Sequence, residues 1–126
     1  MAVTFTIIVV FMITASILSA RKSTAGASAV ALDEIRIAAS YIEKEESDLA
    51  AQHFLKALRY DSRQWGAWRG LGLCYADSGN YGAAVRMYSE SLLLNPKCEE
   101  CRREMSGFIR KARDVKKIKK NNTEVF

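Results

Sequence analysis

The chain is poor in residues that do chemistry. Its 126 residues include one histidine, His53, and three cysteines, Cys74, Cys98 and Cys101. No serine–histidine–carboxylate set, phosphate loop or HExxH pattern can be assembled from them, and Ser40, Asp48 and Glu90 are scattered. An odd cysteine count outlines no disulfide framework. A structural zinc site needs four ligands, and the Cys98–Cys101 spacing has no second pair to complete one. The sequence therefore predicts a non-enzyme with no catalytic residue, no metal and no cofactor. Cys98 and Cys101 stay a candidate disulfide or thiol pair. They open a helix, where backbone N–H groups lower a thiol pKa, although the intervening Glu99 and Glu100 suit a helix N-terminus without any redox role. Cys74 falls at a position that favours small residues and reads as a core thiol.

Charge is missing from one end. Residues 1–20, MAVTFTIIVVFMITASILSA, contain no charged side chain, and Arg21-Lys22 follows at once. The length approaches the roughly 20 apolar residues that cross a bilayer core. A cleaved signal would open with a basic segment, and Leu18 spoils the small-residue cleavage site. The reading is an uncleaved single-pass transmembrane anchor, with Thr14, Ala15, Ser16 and Ser19 either facing other membrane helices or merely tolerated in lipid. The basic flank places residues 21–126 on the cytoplasmic or matrix-like side. The mitochondrial inner membrane is the favoured site, with the endoplasmic reticulum or a bacterial inner membrane as alternatives. Residues 21–30 then read as a flexible linker.

The net charge of +5 is concentrated at the other end. Arg110, Lys111, Arg113, Lys116, Lys117, Lys119 and Lys120 stand against Asp114 alone. No glycine-rich or aromatic-interleaved pattern accompanies them, which argues against a specific nucleic-acid reader. Anionic lipid head groups or acidic proteins are the partners this tail suits, and a solvated helix end is the plain alternative.

Between the two ends the pattern is helical. Trp68, Leu71-Gly72 and Tyr75 are spaced as W-x2-L-G-x2-Y; Gly79-Asn80-Tyr81 makes a turn; Ala84, Tyr88, Ser91 and Leu92 form one face of a second helix, closed by Asn95-Pro96. On these residues, the stretch over 65–98 resembles the tetratricopeptide repeat. Gly72 and Ala84 are small where two antiparallel helices approach, and Trp68, Leu71, Tyr75, Tyr81 and Tyr88 supply bulk around them. Gly79 allows a positive φ at the helix end, and Pro96 suits the first turn of the next helix.

A shift of 34 positions exposes a weaker copy over residues 31–64. Ile37-Ala38 falls on Leu71-Gly72, Tyr41 on Tyr75, Ala50 on Ala84 and Phe54 on Tyr88, while Glu34 stands where Trp68 does. Met105, Phe108, Ile109, Ala112 and Val115 recur at helical steps. They predict a capping helix over residues 99–120 with a basic end, and residues 121–126 as a frayed tail. The expected fold is all-α: the transmembrane helix, then a short solenoid of two helix-turn-helix repeats, the first atypical, plus the cap.

The resemblance implies a concave groove lined by the first helix of each repeat, here at Ile35, Ala39, Gly66, Gly70 and Leu73, with Arg36 and Arg69 either flanking it or solvated. Relatives that grip acidic peptide tails place basic and asparagine residues at such positions. This chain does not, so an apolar or helical partner segment suits it better. The leading expectation is a membrane-anchored interaction module. It would serve as a small accessory or scaffold subunit, or an assembly factor, of a multiprotein membrane complex, contacting other subunits through the groove and the transmembrane helix. The alternative is a targeting or import receptor that holds amphipathic segments in the groove.

Overall fold

The computed structural model describes the backbone of residues 2–124 and the side chains of residues 6–18 and 24–124. Among the described residues five helices follow one another: α1 (Ala2–Glu43), α2 (Ser47–Tyr60), α3 (Trp65–Asp77), α4 (Tyr81–Leu94) and α5 (Glu99–Glu124). Each packs mainly on its neighbours in sequence, as a solenoid does.

The two hairpins repeat each other in detail. Both turns need one residue in the left-handed region: Gly79 at φ 79° and, 34 positions earlier, Glu45 at φ 61°. Asn80 starts α4 by accepting a hydrogen bond from the Ala83 amide at 3.2 Å. Small residues are buried at the helix crossings, Ala38 and Ala50 in the first hairpin and Gly72 and Ala84 in the second, with Phe54 and Tyr88 as the bulky partners. A Cβ on Gly72 would stand 2.7 Å from the Tyr88 ring, so the second crossing requires glycine. Ser91 Oγ donates to the Trp65 carbonyl at 2.9 Å and ties α4 to the start of α3.

Glu34, at the position of Trp68, is buried and never left unpaired. It accepts from Lys56 Nζ at 2.6 Å and meets His53 Nδ1 at 2.7 Å. His53 in turn stacks on Tyr41. These bonds, Lys56 first and then His53, hold the Glu34 carboxyl below its ordinary range. Trp68 is half-buried and donates from its indole N–H to the Ser62 carbonyl at 2.8 Å.

The transmembrane anchor over residues 1–20 is not supported. Among the described residues no helix is long and apolar enough to cross a membrane. The single-pass localisation and the membranes assigned to it fall with the anchor, as does the transmembrane helix as a surface for other subunits. Ser19, Arg21 and Lys22 lie outside the described side chains.

Anchor, linker and first repeat helix are instead one 42-residue helix. Residues 23–30, STAGASAV, carry helix-favouring alanines, and a single Gly26 costs only about 1 kcal/mol. The segment also has a neighbour: Gln64 Nε2 donates to Ser28 Oγ at 3.1 Å. At the other end α5 continues as helix through Glu124.

Candidate protein-binding groove

α1 and α3 flank a cavity of about 370 Å3. α1 contributes Ile35, Ala39, Ile42 and Glu43; α3 contributes Trp65, Gly66, Arg69, Gly70 and Leu73; Phe54 of α2 forms the floor. The floor dictates a glycine, because a Cβ on Gly70 would lie 2.2 Å from Phe54 Cζ. The structure brings Ile35, Ala39, Gly66, Arg69, Gly70 and Leu73 together. Arg36 points elsewhere, pairing with Asp33 while exposed. Ile42 could have been read from the sequence, since it continues the Ile35–Ala39 face one turn on. Phe54 shows only its core role there.

Arg69 is the cation of the groove, and it is already engaged. Its Nε and Nη2 donate to the two Glu104 oxygens at 2.9 Å each, and Nη2 also meets Glu100 at 2.9 Å. Tyr88 Oη donates to the same Glu104 at 2.8 Å. Burial alone would raise the Glu104 carboxyl, but the bonds from Arg69 and Tyr88 outweigh it and hold it below the usual range. Burial, then the bond to Glu104, pushes the Tyr88 phenol up. Arg69 thus closes one wall of the groove and clamps α5 to the repeat. What the cavity offers a ligand is mainly hydrocarbon.

Residues 65–98 match the tetratricopeptide repeat family. They form a tetratricopeptide repeat. A 47-residue stretch, 37% of this chain, is 40% identical to Superkiller protein 3 of Schizosaccharomyces pombe and covers 3% of that protein's length. Within the tetratricopeptide repeat, Leu71, Gly72, Ala84 and Tyr88 are buried, Trp68, Tyr75 and Tyr81 are half-buried, and Pro96 follows α4. The repeat is a non-catalytic protein-interaction unit, and the groove lies between its first helix and α1.

The groove runs on past Ile42 and Leu73 into a second cavity lined also by Glu45, Ser47 and Asp77. Glu46 and Asp48 border the same end, and Ser47 Oγ donates to Asp77 Oδ2 at 2.5 Å. Lys44 does not neutralise these carboxylates; it lies over the Tyr41 ring.

Cys98 and Cys101 form a disulfide at the start of α5. Cys101 is fully buried, and its amide donates to Cys98 Sγ at 3.2 Å. Cys74 is a free, buried thiol, pushed up to about 11 by burial. Among the described residues no three His, Cys, Asp or Glu side chains converge as metal ligands would.

Of the basic tail, Lys111 lies over the Tyr81 and Phe108 rings and Lys120 reaches Glu124 at 4.0 Å. Arg110, Arg113, Lys116, Lys117 and Lys119 are exposed and form no ion pair among the described residues.

Proposed function

We propose that the groove between α1 and α3 holds an apolar, helical segment of another protein, making the chain an accessory or scaffold subunit, or an assembly factor, of a multiprotein complex. One observation supports this above the rest: the walls are Ile35, Ala39, Ile42 and Leu73 over a Phe54 floor, and the one guanidinium among them is bound internally by Glu104. Burying an aliphatic side chain in such a slot contributes about 1.5–3 kcal/mol, whereas an acidic peptide would find no free cation. Two repeats bury little area by themselves, and a docked partner extends the stack.

The test is native gel separation and mass spectrometry of the tagged protein at its natural level, compared with Ile35→Lys. Co-migration at fixed ratio with other proteins, lost in Ile35→Lys, is the expected result. An unchanged band in the variant would remove the groove from the interaction. A receptor for amphipathic segments is the second reading, favoured by the carboxylates at Glu43, Glu45 and Asp77. It predicts a small band with transient cross-links to many newly made proteins in place of a fixed complex.

A further inference from the structure

The end of α5 is an amphipathic face on which nothing packs among the described residues. α4 runs beside α5 as far as a cavity where Gly82 and Val85 face Ile109, Ala112, Arg113 and Lys116. Every residue from 113 to 124 is exposed, and Val115 and Ile118 prolong the stripe that Phe108 and Ala112 begin. At 100° per residue Lys116 flanks that stripe, and Lys119 lies along it one turn beyond Val115. An apolar stripe edged with cations calls for an apolar surface edged with anions.

The same molecule carries one. Ile42 and Leu73 continue out of the groove into the cavity walled by Glu45 and Asp77, with Glu43, Glu46 and Asp48 alongside. None of these carboxylates has an ion-pair partner among the described residues. The chain does not close the match on itself: α5 is one unbroken helix packed chiefly on α4, and among the described residues none of its cations pairs with these carboxylates.

We propose that the basic end of α5 docks on the acidic end of the groove of a second copy. Val115 and Ile118 seat against Ile42 and Leu73, and Lys116 and Lys119 face Glu45, Asp77 and their neighbours. The contact is heterologous, tail to groove, and closes only if two or more copies complete a ring; otherwise it grows. It rests on the groove reading to the extent that Ile42 and Leu73 belong to both cavities.

Sedimentation velocity of the full chain tests it. Association is expected at low salt, weakened about tenfold or more between roughly 50 mM and 500 mM salt, because the paired charges are exposed. Lys116→Glu with Lys119→Glu leaves a monomer, and so does Glu45→Lys with Asp77→Lys. Mixing these two variants restores a complex, since one brings the intact tail and the other the intact acidic end. All four positions are exposed, and circular dichroism melts verify that both variants fold. A chain that stays monomeric at low salt overturns the proposal, including the case where its acidic end captures only basic peptides of other proteins. Association that ignores either charge-reversed pair overturns it too. Ile35→Lys, at the far end of the groove, separates the two readings: it abolishes partner capture and leaves the salt-sensitive self-association intact.

Discussion

Glu45 and Gly79 stand at the same place in successive hairpins, and only one of them is suited to it. A left-handed backbone costs a side-chain-bearing residue roughly 1 kcal/mol, because Cβ crowds the carbonyl oxygen. Glu45→Gly is therefore expected to stabilise the fold by about 0.5–1 kcal/mol, raising the urea midpoint without changing the slope. Measurement at high salt removes the contribution of the lost charge. Gly70 presents the opposite case. Its φ is ordinary, but the Phe54 ring occupies the space a methyl would take. Gly70→Ala should cost about 1–3 kcal/mol by overpacking and displace the groove floor, so that partner capture falls along with stability. A variant that lost neither would show that the ring moves aside freely.

The helices are joined by a few long-range polar contacts, and these were the least legible part of the sequence. The 34-residue register was readable because small and bulky residues recur at fixed positions: Ala50 with Ala84, Phe54 with Tyr88. It carried the hairpins and the groove-facing positions of α1 and α3. Nothing in that pattern couples Arg69 to Glu104 or Glu34 to His53 and Lys56. Their meeting depends on how far long side chains reach across an interface, which composition and period do not encode. The continuous α1 was obscured for another reason, since small residues such as those of 23–30 serve a linker or a helix equally well until a neighbour such as Gln64 is in place. The Glu104 clamp makes a prediction of its own. Its carboxyl is held below its ordinary value near 4.5, so its contribution is fully present above that pH and is lost as pH falls through the lower, folded value. Glu104→Gln should cost about 1–2 kcal/mol at neutral pH, given that the group is partly exposed. It should also flatten the loss of stability on acidification. Equal acid sensitivity in variant and parent would mean other carboxylates govern it.

α1 and α5 both outrun the repeats they serve, and their packed parts differ from their projecting parts in what they do for stability. α5 makes all its described fastenings before residue 112. Cys98 and Cys101 are joined, Glu100 and Glu104 take Arg69, Glu104 takes Tyr88, and Phe108 contacts the Tyr81 and Tyr88 rings. In a solenoid the stability of the end repeat is its own plus that of the interface with its cap. A chain ending at residue 112 should therefore unfold within about 0.5 kcal/mol of the full chain, since only exposed helix is lost, while its self-association disappears. A chain ending at residue 98 is a different matter. It uncovers Tyr88 and Ser91 and leaves Arg69 without its carboxylates. Losing an aromatic-scale contact costs about 3–5 kcal/mol, comparable with the whole stability of a small domain. That chain should show no cooperative melt by circular dichroism. A sharp transition in the shorter chain would mean that the two hairpins support each other without α5, and that the clamp serves the groove wall alone.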